Sequence, residues 1–153
     1  MADVGKQAPD FALLNQDGQE IRLRDLAGRT VVLFAYPKAN TPGCTIQACG
    51  VRDAYAQVER AGALVLGLSP DPVARLQRWR EKENFPYDLL SDPDHAVLEA
   101  YGAWGEKMMY GRKTVGVIRS TVTVGPDGRV ARIWPKVRVK GHVDKVLEAV
   151  KEL

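Results

Sequence analysis

The stretch Thr30–Tyr36 (TVVLFAY) is an almost unbroken apolar run, β-branched at its start, and a proline-marked loop and a helix-start signal follow it directly. A run of this kind fits a central strand buried on both faces, as in a sheet with helices on either side. Thr41 is the residue type of a helix N-cap, and Pro42 suits the first helical position, where its missing N–H costs nothing. The predicted helix passes through Ala54, Ala56 and Val58 to about Ala61, where Gly62 ends it. Ala63–Ser69 (ALVLGLS) then reads as a second buried strand, so this part of the chain is a strand–helix–strand unit with a parallel crossover.

The rest of the chain builds outward from that unit. Phe11–Leu14 and Ile21–Leu23 flank Asp17-Gly18, which predicts an N-terminal β-hairpin, and Asp25–Gly28 reads as a short turn. Asp71-Pro72 opens a helix through Leu76 and Trp79 to about Glu83, closed by Phe85-Pro86. Asp88–Leu90 reads as a short strand, and Asp92-Pro93 starts a short helix through Val97 and Leu98. Tyr101–Lys113 (YGAWGEKMMYGRK) is glycine-rich and reads as irregular. Val115–Val124 and Arg129–Trp134 read as two strands joined by the turn Gly-Pro-Asp-Gly. His142–Leu153 closes the chain as an amphipathic helix with Val143, Val146, Leu147 and Val150 on one face. The order predicts a three-layer α/β domain with a mixed sheet. With 153 residues and no internal repeat or linker, residues 1–153 are expected to form a single domain.

Charge narrows the function classes only a little. The net charge is +3, and the most basic segment, Arg129–Lys140, alternates basic and apolar residues as a half-exposed strand does, so no nucleic-acid partner is expected. The first residues lack the basic-then-apolar order of a secretory signal, and no apolar run approaches the roughly 18 residues of a membrane span. A cytoplasmic protein without a membrane partner is the expectation. In that compartment a close cysteine pair leans towards redox or metal chemistry.

Both cysteines, Cys44 and Cys49, lie in the predicted helix, five positions apart. The reactive form of a thiol is the thiolate, and an ordinary thiol with a pKa of about 8.5 is mostly protonated at neutral pH. Unsatisfied N–H groups and the helix dipole favour negative charge in the first turn, where Cys44 sits, whereas Cys49 is further in. Cys44 is therefore the candidate nucleophile, and Gly43 leaves room beside it for a small substrate. In an intact helix two such Cα atoms are about 8.6 Å apart, whereas a disulfide needs them within about 7 Å. If the two join, the start of the helix has to unwind. Other readings stay open at this point. Buried structural cysteines are common in cores, so by composition the pair could also be structural. A zinc site lacks ligands at a recognisable spacing, since His95 and His142 are remote. A dithiol exchanger would be expected to show Cys-x-x-Cys.

Pro37, Thr41 and Cys44 match the Pro-x-x-x-Thr-x-x-Cys signature of peroxiredoxins. The longer string YPKANTPGCTIQACGVRD closely resembles the bacterioferritin comigratory protein, or Q-type, branch, as do GKQAPDFALLNQDG, LLSDPDHAVLEAYGAWGEK and IRSTVTVGPDGRV. The resemblance implies a thioredoxin-like three-layer sandwich with a mixed central sheet and an N-terminal β-hairpin extension. It implies a peroxidase in which Cys44 is peroxidatic and Cys49 resolving, joined as an intramolecular disulfide. Thr41 would bind the peroxide and the thiolate, Pro37 would shield the site from water, and Arg119 would be the active-site arginine, with Gly43 beside the substrate. Trp104 belongs to a Gly-x-Trp-Gly-Glu-Lys loop and is assigned to packing first. The implied partners are hydrogen peroxide or an alkyl hydroperoxide and a dithiol reductant, thioredoxin; no metal, haem or flavin cofactor is implied. Members of the branch are often monomers, so a monomer is expected. A different class, a peroxide-responsive redox sensor or chaperone-like binding module, would be oxidised at Cys44 but turn over little.

Overall fold

The computed structural model describes residues 2–109 and 111–152. In chain order its elements are β1 (Ala12–Leu14), β2 (Glu20–Arg22), a 3-10 turn (Leu23–Leu26), β3 (Thr30–Ala35), α1 (Pro42–Arg60), β4 (Ala63–Ser69), α2 (Val73–Glu83), β5 (Asp88–Ser91), α3 (Ala96–Ala100), β6 (Trp104–Met109), β7 (Arg112–Val117), β8 (Ser120–Val124), β9 (Val130–Trp134) and α4 (His142–Lys151). All of β3 is buried. Its alternation divides the core: Val32 and Phe34 join one apolar cluster, Val31, Leu33 and Ala35 the other. The first cluster is closed by Tyr55 and Val58 of α1, Leu76 and Trp79 of α2, and Val146, Leu147 and Val150 of α4. The second is closed by Leu98 of α3, with Tyr101, Ala103 and the N-terminal Ala8 and Phe11. Each Val, Leu or Phe side chain so buried contributes about 1.5–3 kcal/mol of transfer free energy.

Among the described residues the main sheet runs in the order β2-β1-β5-β4-β3-β8-β9. β3 pairs parallel with β4, and β4 with β5, while β8 runs antiparallel to β3. The mixed, thioredoxin-like α/β sandwich with its N-terminal hairpin is therefore present, and the parallel crossover is made by α1. Gly67 stands beside Phe34 and Leu89 in the ladder. A Cβ there would fall 2.9 Å from Leu89 Cδ2 and 3.1 Å from Tyr36 Cε1, so its bare backbone lets Tyr36 pack over β4 at the C-terminal end of β3.

The structure corrects the reading of residues 101–124. Val115–Val124 is not one strand. β7 leaves the main sheet and pairs antiparallel with β6, a strand within the segment that reads as irregular, while β8 rejoins β3. Tyr110, in the same segment, lies outside the described residues. Glycine content argued against a strand there, but Gly105 and Gly116 face each other in the ladder and Gly111, at φ +76°, makes the turn. The break at Ile118-Arg119 carries no local turn signal. It is held by remote partners: the Ile118 N–H donates to Ala103 O (2.8 Å), and Arg119 O accepts from the Val137 N–H (2.9 Å). Smaller differences are of boundary: α3 begins at Ala96 rather than near Asp92, whose carboxylate accepts from the Leu98 N–H (2.8 Å).

The start of α4 gives a pH-dependent stability. His142 is buried against the edge of Trp134, with Nε2 2.8 Å from Thr121 Oγ1. Burial, with nearby Lys145 adding, pushes its imidazole down to about 4. A histidine held neutral in the fold binds its proton more readily when unfolded. Its contribution is therefore complete above about pH 6.5 and is lost as pH falls from there towards 4, on the order of 2–3 kcal/mol. Urea unfolding at pH 7 and pH 4.5 should show that loss, and His142→Gln should show a smaller one. An equal acid loss in the variant would assign the effect to other groups.

Candidate active site

The chain leaves β3 at Tyr36 and enters a short loop, Pro37–Asn40, whose shape is imposed from the β4–α2 connection. Ala39, fully buried, is held at both backbone groups: its N–H donates to Asp71 Oδ2 (2.7 Å) and its carbonyl accepts from Arg75 Nη2 (3.1 Å). Asp71 also accepts from Ser69 Oγ (2.8 Å), and its second oxygen lies 3.4 Å from Arg75 Nε. Asn40 takes a left-handed backbone (φ +62°), its side-chain oxygen accepting from Lys82 Nζ (3.1 Å). Pro37, half-buried, opens this loop.

Thr41 occupies the N-cap position of α1 with extended backbone, and its carbonyl accepts the first helical bond from the Thr45 N–H (2.8 Å). Its side chain does not cap. The hydroxyl donates backwards to Lys38 O (2.8 Å), which leaves its oxygen lone pairs free to accept. This departs from the expected N-cap in side-chain role though not in position.

Cys44 lies in the first turn, buried at 2% exposure. From the Ile118-Arg119 break, Arg119 reaches across 75 positions of sequence to place Nη2 3.0 Å from Cys44 Sγ. Gly43 borders the same guanidinium, 3.6 Å from where its Cβ would be. The other terminal nitrogen of Arg119 donates to Gln47 Oε1. Gln47 was missed in the sequence. It sits three residues after Cys44, on the same helix face, and that spacing together with its polar amide in a buried helix was the available signal. The helix start and the guanidinium together set positive potential around one buried sulfur, an arrangement suited to negative charge developing on a bound oxygen.

Cys49 lies in a different setting. It is half-buried, and its thiol donates to Glu83 Oε2 at the end of α2 (3.4 Å). Burial pushes this thiol up from its ordinary value, the Glu83 hydrogen bond adds to the rise, and Arg52 opposes it. Both cysteines are free, and α1 is continuous through them. Trp104 packs on the second apolar cluster and stacks on His95, with ring centres 4.0 Å apart.

Residues 4–133 match the AhpC/TSA family. The chain is 44% identical over 145 residues to a putative peroxiredoxin bcp of Coxiella burnetii, covering 95% of this chain and 96% of that one. It is 43% identical over 149 residues to the peroxiredoxin Bcp of Escherichia coli K12, covering 97% and 96%. Among solved structures, the Xanthomonas campestris bacterioferritin comigratory protein, studied for its alkyl peroxide reduction activity, superposes with a TM-score of 0.91 at 36% identity, covering 98% of both chains. The chain belongs to the AhpC/TSA family, in the bacterioferritin comigratory protein, or Q-type, branch of the peroxiredoxins.

Proposed function

We propose that this peroxiredoxin reduces hydrogen peroxide and alkyl hydroperoxides with Cys44 as the attacking thiolate and Cys49 as the thiol that resolves it. The observation that carries the reading is the Cys44 Sγ at the start of α1 with Arg119 Nη2 at 3.0 Å. The thiolate donates an electron pair to the terminal oxygen of the hydroperoxide, and the O–O bond breaks. The departing oxygen takes a proton as water or alcohol, and Cys44 is left as a sulfenic acid. Arg119 offsets charge on sulfur and on the oxygens as it moves. Thr41 accepts a hydrogen bond from the bound peroxide, Gly43 leaves the approach open, and Pro37 limits water.

Resolution needs the two sulfurs to meet, and the intact helix keeps them apart, so the stretch from Pro42 to about Gly50 unwinds after oxidation. The Cys44–Cys49 disulfide forms, water leaves, and a dithiol reductant of the thioredoxin type restores both thiols. One domain, acting as a cytoplasmic monomer, suffices for this cycle. No helix among the described residues is long and apolar enough to cross a membrane.

Cys49→Ser tests the division of labour. The first step should proceed as in the parent, and dimedone should then trap a persistent sulfenic acid, whereas turnover in a coupled assay with thioredoxin, its reductase and NADPH should fall by roughly 10²-fold or more, as for loss of a reacting group. Full thioredoxin-coupled turnover in Cys49→Ser would remove Cys49 from the mechanism.

A further inference from the structure

Resting on the reading that Cys49 resolves Cys44, we infer that Glu83, braced by Arg52, is a positioning residue that holds the Cys49 thiol back and thereby sets the rate of disulfide formation. The thiol must leave its place to react, and the structure shows what it leaves. Around it, the α2–β5 region grips α1 at three neighbouring points. The Tyr87 hydroxyl donates to Ala48 O (2.6 Å), the Cys49 thiol donates to Glu83 Oε2 (3.4 Å), and Arg52 Nη1 donates to Glu83 O (2.7 Å).

Arg52 has two functions here. Its guanidinium satisfies a carbonyl at the C-terminal end of α2, where helix carbonyls lack partners and a cation is favoured. It also lies 3.7 Å from Glu83 Oε2, which keeps the carboxylate turned towards α1. Arg52 is three residues past Cys49, so it anchors α1 just beyond the part that must unwind. Tyr87 and Arg52 hold backbone and helix end; among the described residues, Glu83 alone holds the reacting atom by a hydrogen bond. Next to Cys49, Val143 Cγ2 would be 3.3 Å from a Cβ on Gly50, so α4 packs closely on α1 there.

Cys49 releases its S–H from Glu83 and gives up the proton, and its sulfur attacks Cys44 Sγ. The S–O bond of the sulfenic acid breaks, and the departing hydroxide takes a proton to become water. A carboxylate at hydrogen-bond distance opposes this twice. It must be abandoned before the sulfurs can meet, and its charge disfavours the thiolate that attacks. The same delay lengthens the life of the sulfenic acid, which excess peroxide carries on to sulfinic acid.

The test separates the two chemical steps. Parent, Glu83→Ala and Glu83→Gln are mixed with one equivalent of hydrogen peroxide, quenched with acid, alkylated and read by mass spectrometry. The first step is measured separately by competition with a haem peroxidase. Glu83→Ala should form the disulfide roughly threefold to tenfold faster, the range of one net hydrogen bond, with the first step unchanged. At excess peroxide with reductant present, its sulfinic acid per turnover should fall. A residue that merely supported the fold would not speed one step and spare the other. Glu83→Gln keeps the shape and an acceptor but not the charge, so it should show a smaller acceleration, and it decides the matter if the alanine variant does not fold. Unchanged or slower disulfide formation overturns the inference; slowing would make Glu83 the base for Cys49. Absence of a Cys44–Cys49 disulfide in the parent overturns the resolving role itself, and the inference with it, whereas its presence at an unaltered rate in the variants overturns the inference alone.

Discussion

Cys44→Ser should reduce peroxide consumption by on the order of 10³-fold or more, the scale of losing a covalent nucleophile. The substitution is nearly isosteric, so the site should keep its shape. Arg119 still has Gln47, and Thr41 and Ala39 are held by partners that do not involve the sulfur. What is lost is chemistry. A serine hydroxyl stays protonated at neutral pH even near a guanidinium, and its oxygen is a poor nucleophile towards the O–O bond. Removing a sulfur from the first apolar cluster costs about 1 kcal/mol of stability, so thermal unfolding should move by only a few degrees. Peroxide consumption is followed by the decay of added hydrogen peroxide under saturating reductant, beside a circular dichroism melt of the same sample. Full activity in a folded Cys44→Ser protein would end the thiol mechanism; loss of activity together with loss of fold would be settled by Cys44→Ala.

The contrast between these cysteines was partly legible in the sequence. The β3–α1 unit was readable because its signals are local: an apolar strand, then Thr41-Pro42 at a helix start, then Gly62 after the last turn. Those signals placed Cys44 in the first turn and Cys49 further in. The groups that complete both sites arrive from elsewhere in the chain, and no local pattern announces them. Asp71 and Arg75 act on Ala39 from 32 and 36 positions away, and Glu83 meets Cys49 from 34. Arg119 shows the limit most plainly. By residue type it reads as an exposed strand arginine, and only the family resemblance assigned it to the site. The structure puts it at a break between β7 and β8 that the β-branched residues on both sides conceal, because both halves are strand and the interruption is held by Ala103 and Val137.

That placement gives the second large expected effect. Arg119→Met should lower the second-order rate with hydrogen peroxide by about 10²–10³-fold, the range for removing a preorganised donor from a site where charge develops. The side chain acts through both ends of its fork: one terminal nitrogen faces Cys44 Sγ at 3.0 Å, and the other is bound to Gln47. Gln47 is buried, so its oxygen is left without a donor in Arg119→Met, and unfolding free energy should fall by about 1–3 kcal/mol as well. Arg119→Lys separates charge from geometry. An ammonium restores a cation near sulfur but cannot present two fixed N–H vectors to two acceptors. It should therefore recover part of the rate and leave most of the deficit. The measurement is the same competition with a haem peroxidase that isolates the first step, since turnover with thioredoxin would mix in resolution and reduction. An undiminished first step in Arg119→Met would show that the helix start alone activates Cys44. Full recovery in Arg119→Lys would show that charge is sufficient and that the Gln47 bond merely holds the arginine in place.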